Sequence, residues 1–213
     1  MFLFFFIIGF ITSAFFNGYL QDFYSKRKLF DPVNTRSSHN EKATRSGGLA
    51  IFLTLCFCYG LGRAFLDLDI NLFSLIACCF AAFIGFFDDL FDVYYVEKFA
   101  LQIFAGIILI QSDVYINNFH GIFGVYEISQ LTSYIVSLFV FLVITNSLNL
   151  IDGIDGLTGL ISAKFFICIS VIIFFTDTDL YSYNVNKDSM LSYSLTLIGA
   201  LIGFLLYNYK TEK

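Results

Sequence analysis

Long apolar runs separated by short polar segments dominate this chain. A helix needs about 20 apolar residues to cross roughly 30 Å of hydrocarbon, and seven candidates can be marked off: Phe2 to Leu20, Leu49 to Leu66, Leu72 to Phe87, Phe99 to Ile110, Leu131 to Thr145, Leu157 to Phe175 and Leu191 to Tyr207. The fourth is short, because Glu97, Lys98 and Gln102 interrupt its start and Gln111 closes it, so its limits are soft. Between the runs, Asp67 to Asn71 reads as a short turn and Asp177 to Ser189 as a polar loop. Ser112 to Gln130 mixes Tyr, Ile, Phe, Val and Gly in a way that suits a hairpin. With no internal repeat, low-complexity linker or soluble domain in view, the expectation is an all-α polytopic membrane protein. It has about seven transmembrane helices, and residues 1–213 form one integral membrane domain.

Charge supplies a topology. No Lys or Arg precedes the first run, whereas Lys26, Arg27 and Lys28 follow it directly. This is not the order of a secretory signal. A basic cluster holds its end of a helix in the cytoplasm, so the amino terminus is expected outside. Alternation from there sends Arg36, Lys42, Arg45, Lys98, Lys210 and Lys213 to the cytoplasmic side with the first cluster, and only Arg63 and Lys187 outside. The segments 22–48, 88–98 and 146–156 then share the cytoplasmic face.

Composition agrees with a lipid solvent: 58% of residues are hydrophobic, 29 of the 213 are Phe, and only 14% are charged, too few to cover a soluble core. The net charge of -5 excludes a basic nucleic-acid surface. Cys56, Cys58, Cys78, Cys79 and Cys168 all lie inside apolar runs without the paired spacing of a zinc site, and read as lipid-facing or packed thiols.

Two polar strings carry candidate chemistry. In FFDDLFD, a helical continuation places Asp88 and Asp92 one turn apart, with Asp89 three residues from Asp92. Carboxylates this close repel, and Mg²⁺ suits them: it prefers hard oxygens, accepts one or two carboxylates, and keeps positions for water and substrate phosphate. The competing reading is a solvated acidic cap between two helices. In NSLNLIDGIDGL, Asn146, Asn149 and Asp152 recur every three residues, a polar stripe if the helix persists, and Gly153 and Gly156 free the backbone beside Asp152 and Asp155. Asn offers a neutral hard oxygen. These residues could equally cap helices or bond across them.

The loop DPVNTRSSHNEKATRSGGLAIF adds Arg36, His39, Lys42 and Arg45 as cationic donors, with Gly47 and Gly48 able to bring backbone near an anion. Topogenic charge and attraction to anionic lipid explain much of this basicity. His120 falls on the opposite side from the acids and reads as a hairpin residue. Lys164, inside the sixth run, either snorkels or faces a polar cleft.

Taken in order, RSSH with the later GG, DDLFD followed by Lys98 and Gln102, and NSLNLIDGIDGLTG resemble the polyprenyl-phosphate N-acetylhexosamine-1-phosphate transferase superfamily (glycosyltransferase family 4 type) over most of the chain. The resemblance implies a cytoplasmic cleft in a bacterial inner-membrane enzyme. There undecaprenyl phosphate would attack a UDP-amino sugar, releasing UMP and starting a lipid-linked glycan such as O-antigen. It implies catalytic roles for Asp88, Asp89, Asp152 and Asp155, and metal ligation of Mg²⁺ (or Mn²⁺) by Asp88, Asp89, Asn149 and Asp152. Asn146, Lys98, Arg36, His39, Arg45, Gly47 and Gly48 would bind substrate. A homodimer is compatible with it; nucleic acid is not an expected partner. Asp92 brings the acidic string nearer the N-acetylglucosamine-type enzymes than the muropeptide branch. One departure stands out: members of this superfamily continue into a further Gly-Asp motif and a histidine-bearing loop, so the 213 residues read as C-terminally truncated and, alone, inactive or nearly so.

Physical chemistry agrees with the reaction that the resemblance implies. A phosphate monoester is already largely a dianion at neutral pH, so positioning and charge neutralisation outweigh general-base activation. A channel or ion-coupled transporter would place acids at mid-span, whereas these sit at helix ends. A non-catalytic membrane subunit would keep lipid phosphate or a partner without turnover. The CDP-alcohol phosphotransferases use a different DG pattern, with an Ala-Arg pair that DGIDGL lacks.

Overall fold

The structure is a computed structural model that describes residues 1–27, 46–69, 71, 72–91, 93–151, 156–176 and 186–211, without the side chains of 89, 90 and 208–211. Seven α-helices make up the described chain: α1 Phe2–Arg27, α2 Gly47–Leu66, α3 Leu72–Phe91, α4 Tyr95–Ile110, α5 Gln130–Ile151, α6 Leu157–Phe175 and α7 Lys187–Thr211, with one short 3-10 helix at Ile122–Gly124. Each expected run is a helix. Five of them, α1, α2, α5, α6 and α7, are long and apolar enough to cross a membrane, while α3 is apolar over Leu72–Asp88 and α4 is only 16 residues long. This is an all-α membrane protein.

Most helices outrun their apolar windows. α1 continues from Leu20 to Arg27, α3 from Phe87 to Phe91, α5 from Thr145 to Ile151, and α4 begins at Tyr95 rather than Phe99. Hydropathy marks where the solvent changes, but a helix ends only where its backbone finds another way to pair its N–H and C=O groups.

The Cα packing divides the chain into two compact units, 1–70 with 151–213, and 71–150. In the first, α7 lies against α1, α2 and α6. Its interior mixes apolar residues such as Phe5, Leu20, Ile198 and Leu201 with small polar ones, Ser13, Asn17, Thr54, Ser189, Ser192 and Thr196, while Ile7, Ile11, Phe15 and Tyr19 face outward. That mixture suits lipid, where small residues let backbones approach and hydroxyls bond across helices. A Cβ on Gly199 would run into the carbonyl oxygen of Phe6, and one on Gly203 would lie 2.8 Å from that of Phe10. Ser13 Oγ then donates to Ala200 O at 2.7 Å, and Asn17 Nδ2 to Ser13 O at 2.9 Å. At the far end of α6, Lys187 Nζ donates to Phe174 O at 3.0 Å and Thr176 O at 2.8 Å, a cation on a helix C-terminus.

In the second unit α3 packs on α4, with the Phe80 and Phe104 rings 5.1 Å apart. Leu138 and Phe141 of α5 fill the space beside Gly106. The segment between α4 and α5 is a hairpin, as its composition suggested: Asn118 and Glu127 form an antiparallel bridge, and Phe119 N donates to Tyr126 O at 2.8 Å.

Candidate functional site

Three helix ends of the second unit meet around one cavity of about 420 Å³ lined by Asp88, Val93, Tyr95, Lys98, Phe99, Asn146 and Asn149. Asp88 comes from the last turn of α3, Lys98 from the first turn of α4, and the two asparagines from the last turns of α5. Asp88 closes the apolar stretch of α3, and the helix continues to Phe91. Because α5 persists to Ile151, Asn146 and Asn149 share one face, as their spacing of three requires.

Lys98 Nζ donates to Asp88 Oδ2 at 2.6 Å, with the two side chains 20% and 25% exposed. This is a short, charge-assisted bond at a half-buried site, stronger than a solvated surface pair. It uses one carboxylate oxygen and leaves Asp88 the other. The Tyr94 phenol at this bend lies above its ordinary range through its hydrogen bond with Tyr95, with desolvation adding to the shift.

A residue outside the expected binding set holds one of the two amides. Asn146 Nδ2 donates to the carbonyl oxygen of Leu142 at 2.8 Å and to Gln102 Oε1 at 3.0 Å. A backbone carbonyl can only accept, so the nitrogen of Asn146 is fixed on that side and its side-chain oxygen is left for other donors or a cation. Gln102 is only 5% exposed. Its signal in the sequence was a glutamine inside an apolar run, four residues after Lys98 and therefore on the same helix face.

The other expected residues fall as follows. Asp89 follows Asp88 in α3, but its side chain, like Asp92, Asp152, Asp155, Arg36, His39 and Arg45, lies outside the described residues. Gly47 opens α2, where a Cβ would collide with the Phe204 ring, a packing role; a Cβ on Gly48 would meet nothing within 4 Å. Gly156 precedes α6 at φ +68°, the turn its position suggested. Lys164 is exposed on α6, His120 belongs to the hairpin, and of the cysteines Cys58 is buried while Cys78, Cys79 and Cys168 are exposed. Among the described residues no three His, Cys, Asp or Glu side chains group as a metal cage. The cavity offers, among the described residues, one carboxylate, two amides, one ammonium and the Tyr95 phenol.

Fold and cavity together define the class: a polytopic helical membrane protein that gathers an acid, a lysine and amides at helix ends. Comparison makes the class specific: residues 71–213 match the family described as glycosyl transferase family 4, and the chain belongs to that family. It is 27% identical over 184 residues to the undecaprenyl-phosphate alpha-N-acetylglucosaminyl 1-phosphate transferase of Escherichia coli O157:H7, covering 84% of this chain and 47% of that protein. The protein of the same description from Yersinia pestis is 25% identical over 184 residues, with the same coverage. A phospho-N-acetylmuramoyl-pentapeptide-transferase of Streptococcus agalactiae is 33% identical over 141 residues, 61% of this chain and 39% of its own length. The chain spans about half the length of the first of these relatives.

Proposed function

We propose that this chain carries the phosphate-handling part of a polyprenyl-phosphate sugar-1-phosphate transferase of the bacterial inner membrane. The lipid acceptor is undecaprenyl phosphate and the donor a UDP-N-acetylhexosamine. An oxygen of the lipid phosphate attacks the sugar-bearing phosphorus, forming a new P–O bond. The bond from that phosphorus to the bridging oxygen breaks, and UMP leaves with the electron pair. The product, a lipid-pyrophosphoryl sugar, would begin a cell-envelope glycan of the O-antigen kind.

The observation that supports this reading is the cavity in which Asp88, Lys98, Asn146 and Asn149 meet in a member of this family. Its donors are hard oxygens, which fit Mg²⁺ or Mn²⁺: the second oxygen of Asp88 and the side-chain oxygen of Asn149 would hold the ion, with Asp89 and Asp152 as further ligands. When bound, such an ion neutralises charge on the pyrophosphate. Lys98 faces the same charge and stabilises the departing phosphate, while Gln102 keeps the oxygen of Asn146 available. No general base is required, because the attacking monoester is a dianion at neutral pH.

Binding tests this directly. Proteoliposomes of the chain are expected to retain labelled UDP-N-acetylglucosamine only when Mg²⁺ or Mn²⁺ is present, and Asp88→Asn should weaken retention at least tenfold. Metal-independent retention, or none in either protein, would contradict the proposal; an ion gradient discharged without nucleotide binding would favour a transporter instead.

A further inference from the structure

The hairpin between α4 and α5 carries an apolar tip that the proposed reaction does not use. Phe123 is 98% exposed, and its neighbours Ile122 and Tyr126 are 61% and 65% exposed. Phe123 sits at φ 55°, ψ 23° and His120 at φ 50°. That left-handed region is uncommon for a bulky side chain. The tip is nevertheless well bonded: Gly121 N donates to Val125 O at 2.9 Å, Ile122 N to Phe119 O at 3.0 Å, Gly124 N to Gly121 O at 2.9 Å, and Val125 N to Ile122 O at 3.1 Å. A backbone paired with itself can enter a layer poor in water at little cost.

The hairpin is tied to the start of a spanning helix. Ile116 N donates to Ser137 Oγ at 2.7 Å, the Tyr115 and Tyr134 rings meet edge-on at 5.2 Å, and Ile128 N, two residues before α5 begins, donates to Asn117 O at 3.2 Å. Its base therefore lies beside the first turns of α5, the end at which that helix meets the bilayer surface, where the polar layer is about 5–7 Å deep.

We infer that the hairpin is an interfacial anchor, seating Ile122, Phe123 and Tyr126 in the headgroup layer of the membrane face opposite the Asp88 cavity. Lys98 in the first turn of α4 lines the cavity with Asn146 and Asn149 from the last turns of α5, which puts the 111–129 segment at the other end of both helices. The segment 112–130 has no Lys or Arg, but carries Asp113 and Glu127. Apolar partition and the taste of Tyr for the interface hold the tip, rather than attraction to anionic lipid. Anchoring there sets the height of α4 and α5 in the bilayer, and with it the depth of the lysine and amides that the two helices carry at their other ends.

The chain has no Trp, so Phe123→Trp introduces a lone fluorophore. In phosphatidylcholine vesicles its emission should be blue-shifted, shielded from aqueous iodide, and quenched severalfold more by lipids brominated high on the acyl chain than by lipids brominated near its end. Raising the salt should change nothing. Ile122→Trp serves as the second reporter if the first disturbs the hairpin, with retained helical circular dichroism as the folding control. Free quenching by iodide with no effect of brominated lipid overturns the inference. So does shielding that vanishes as the protein is diluted in lipid, which would mean that a second copy covers the tip.

Discussion

At the residue scale the cavity rests on two pairs, Lys98 with Asp88 and Gln102 with Asn146, and they answer to different tests. A hydrogen bond to a charged group contributes about 1.5–3 kcal/mol, so Lys98→Ala should weaken UDP-sugar binding roughly ten- to hundredfold. Combined with Asp88→Asn it should cost less than the two losses added together, because either change breaks the same contact. A double-mutant cycle in equilibrium binding measures this. Gln102→Leu removes the acceptor that receives Asn146 and leaves that amide free to turn, so a loss of about 1 kcal/mol, or roughly fivefold in binding, is expected with helix content unchanged. The paired asparagines were legible from their spacing of three, and Asp88 from its place at the end of an apolar run. Gln102 was visible as part of a motif, but its job was not, because only the partner's geometry says which amide atom must face which neighbour.

At the scale of elements, apolar runs identified each α-helix of the described chain, whereas most of the ends were displaced. Polar residues such as Asp22 and Lys26 cannot enter hydrocarbon, but they can continue a helix beyond it, and a hydropathy window cannot tell the two apart. How α1 and α7 would associate was equally hidden. Their contact depends on glycines, serines and an asparagine that look unremarkable until a facing backbone is placed against them. Gly199→Leu should therefore lower the thermal midpoint of the detergent-solubilised protein, reflecting the about 1–3 kcal/mol typical of overpacking, while the exposed apolar change Phe15→Leu should leave it nearly unchanged. Lys187→Met removes the cation that binds two carbonyls at the end of α6. A smaller loss, about 0.5–1 kcal/mol, is expected in the same melting experiment.

At the scale of the whole molecule, seven apolar runs and a cluster of bases predicted both the fold class and the direction in which the chain crosses the membrane. The fold class is met by seven helices, of which five have the length and apolarity of a full crossing. The shortest, α4, is the one whose limits the charged residues at 97 and 98 had blurred. The expected direction and the proposed site share one consequence: the two ends of α5 should lie on opposite faces, with the proposed phosphate-handling end in the cytoplasm. In a version free of native cysteines, Asn149→Cys should react with a membrane-impermeant maleimide from the cytoplasmic side only, and UDP-N-acetylglucosamine with Mg²⁺ should slow that reaction about tenfold. Asn117→Cys should react from the other side at a rate the nucleotide sugar does not alter. Labelling of both positions from one side, or an Asn149→Cys rate indifferent to nucleotide and metal, would contradict a cytoplasmic phosphate site at the end of α5.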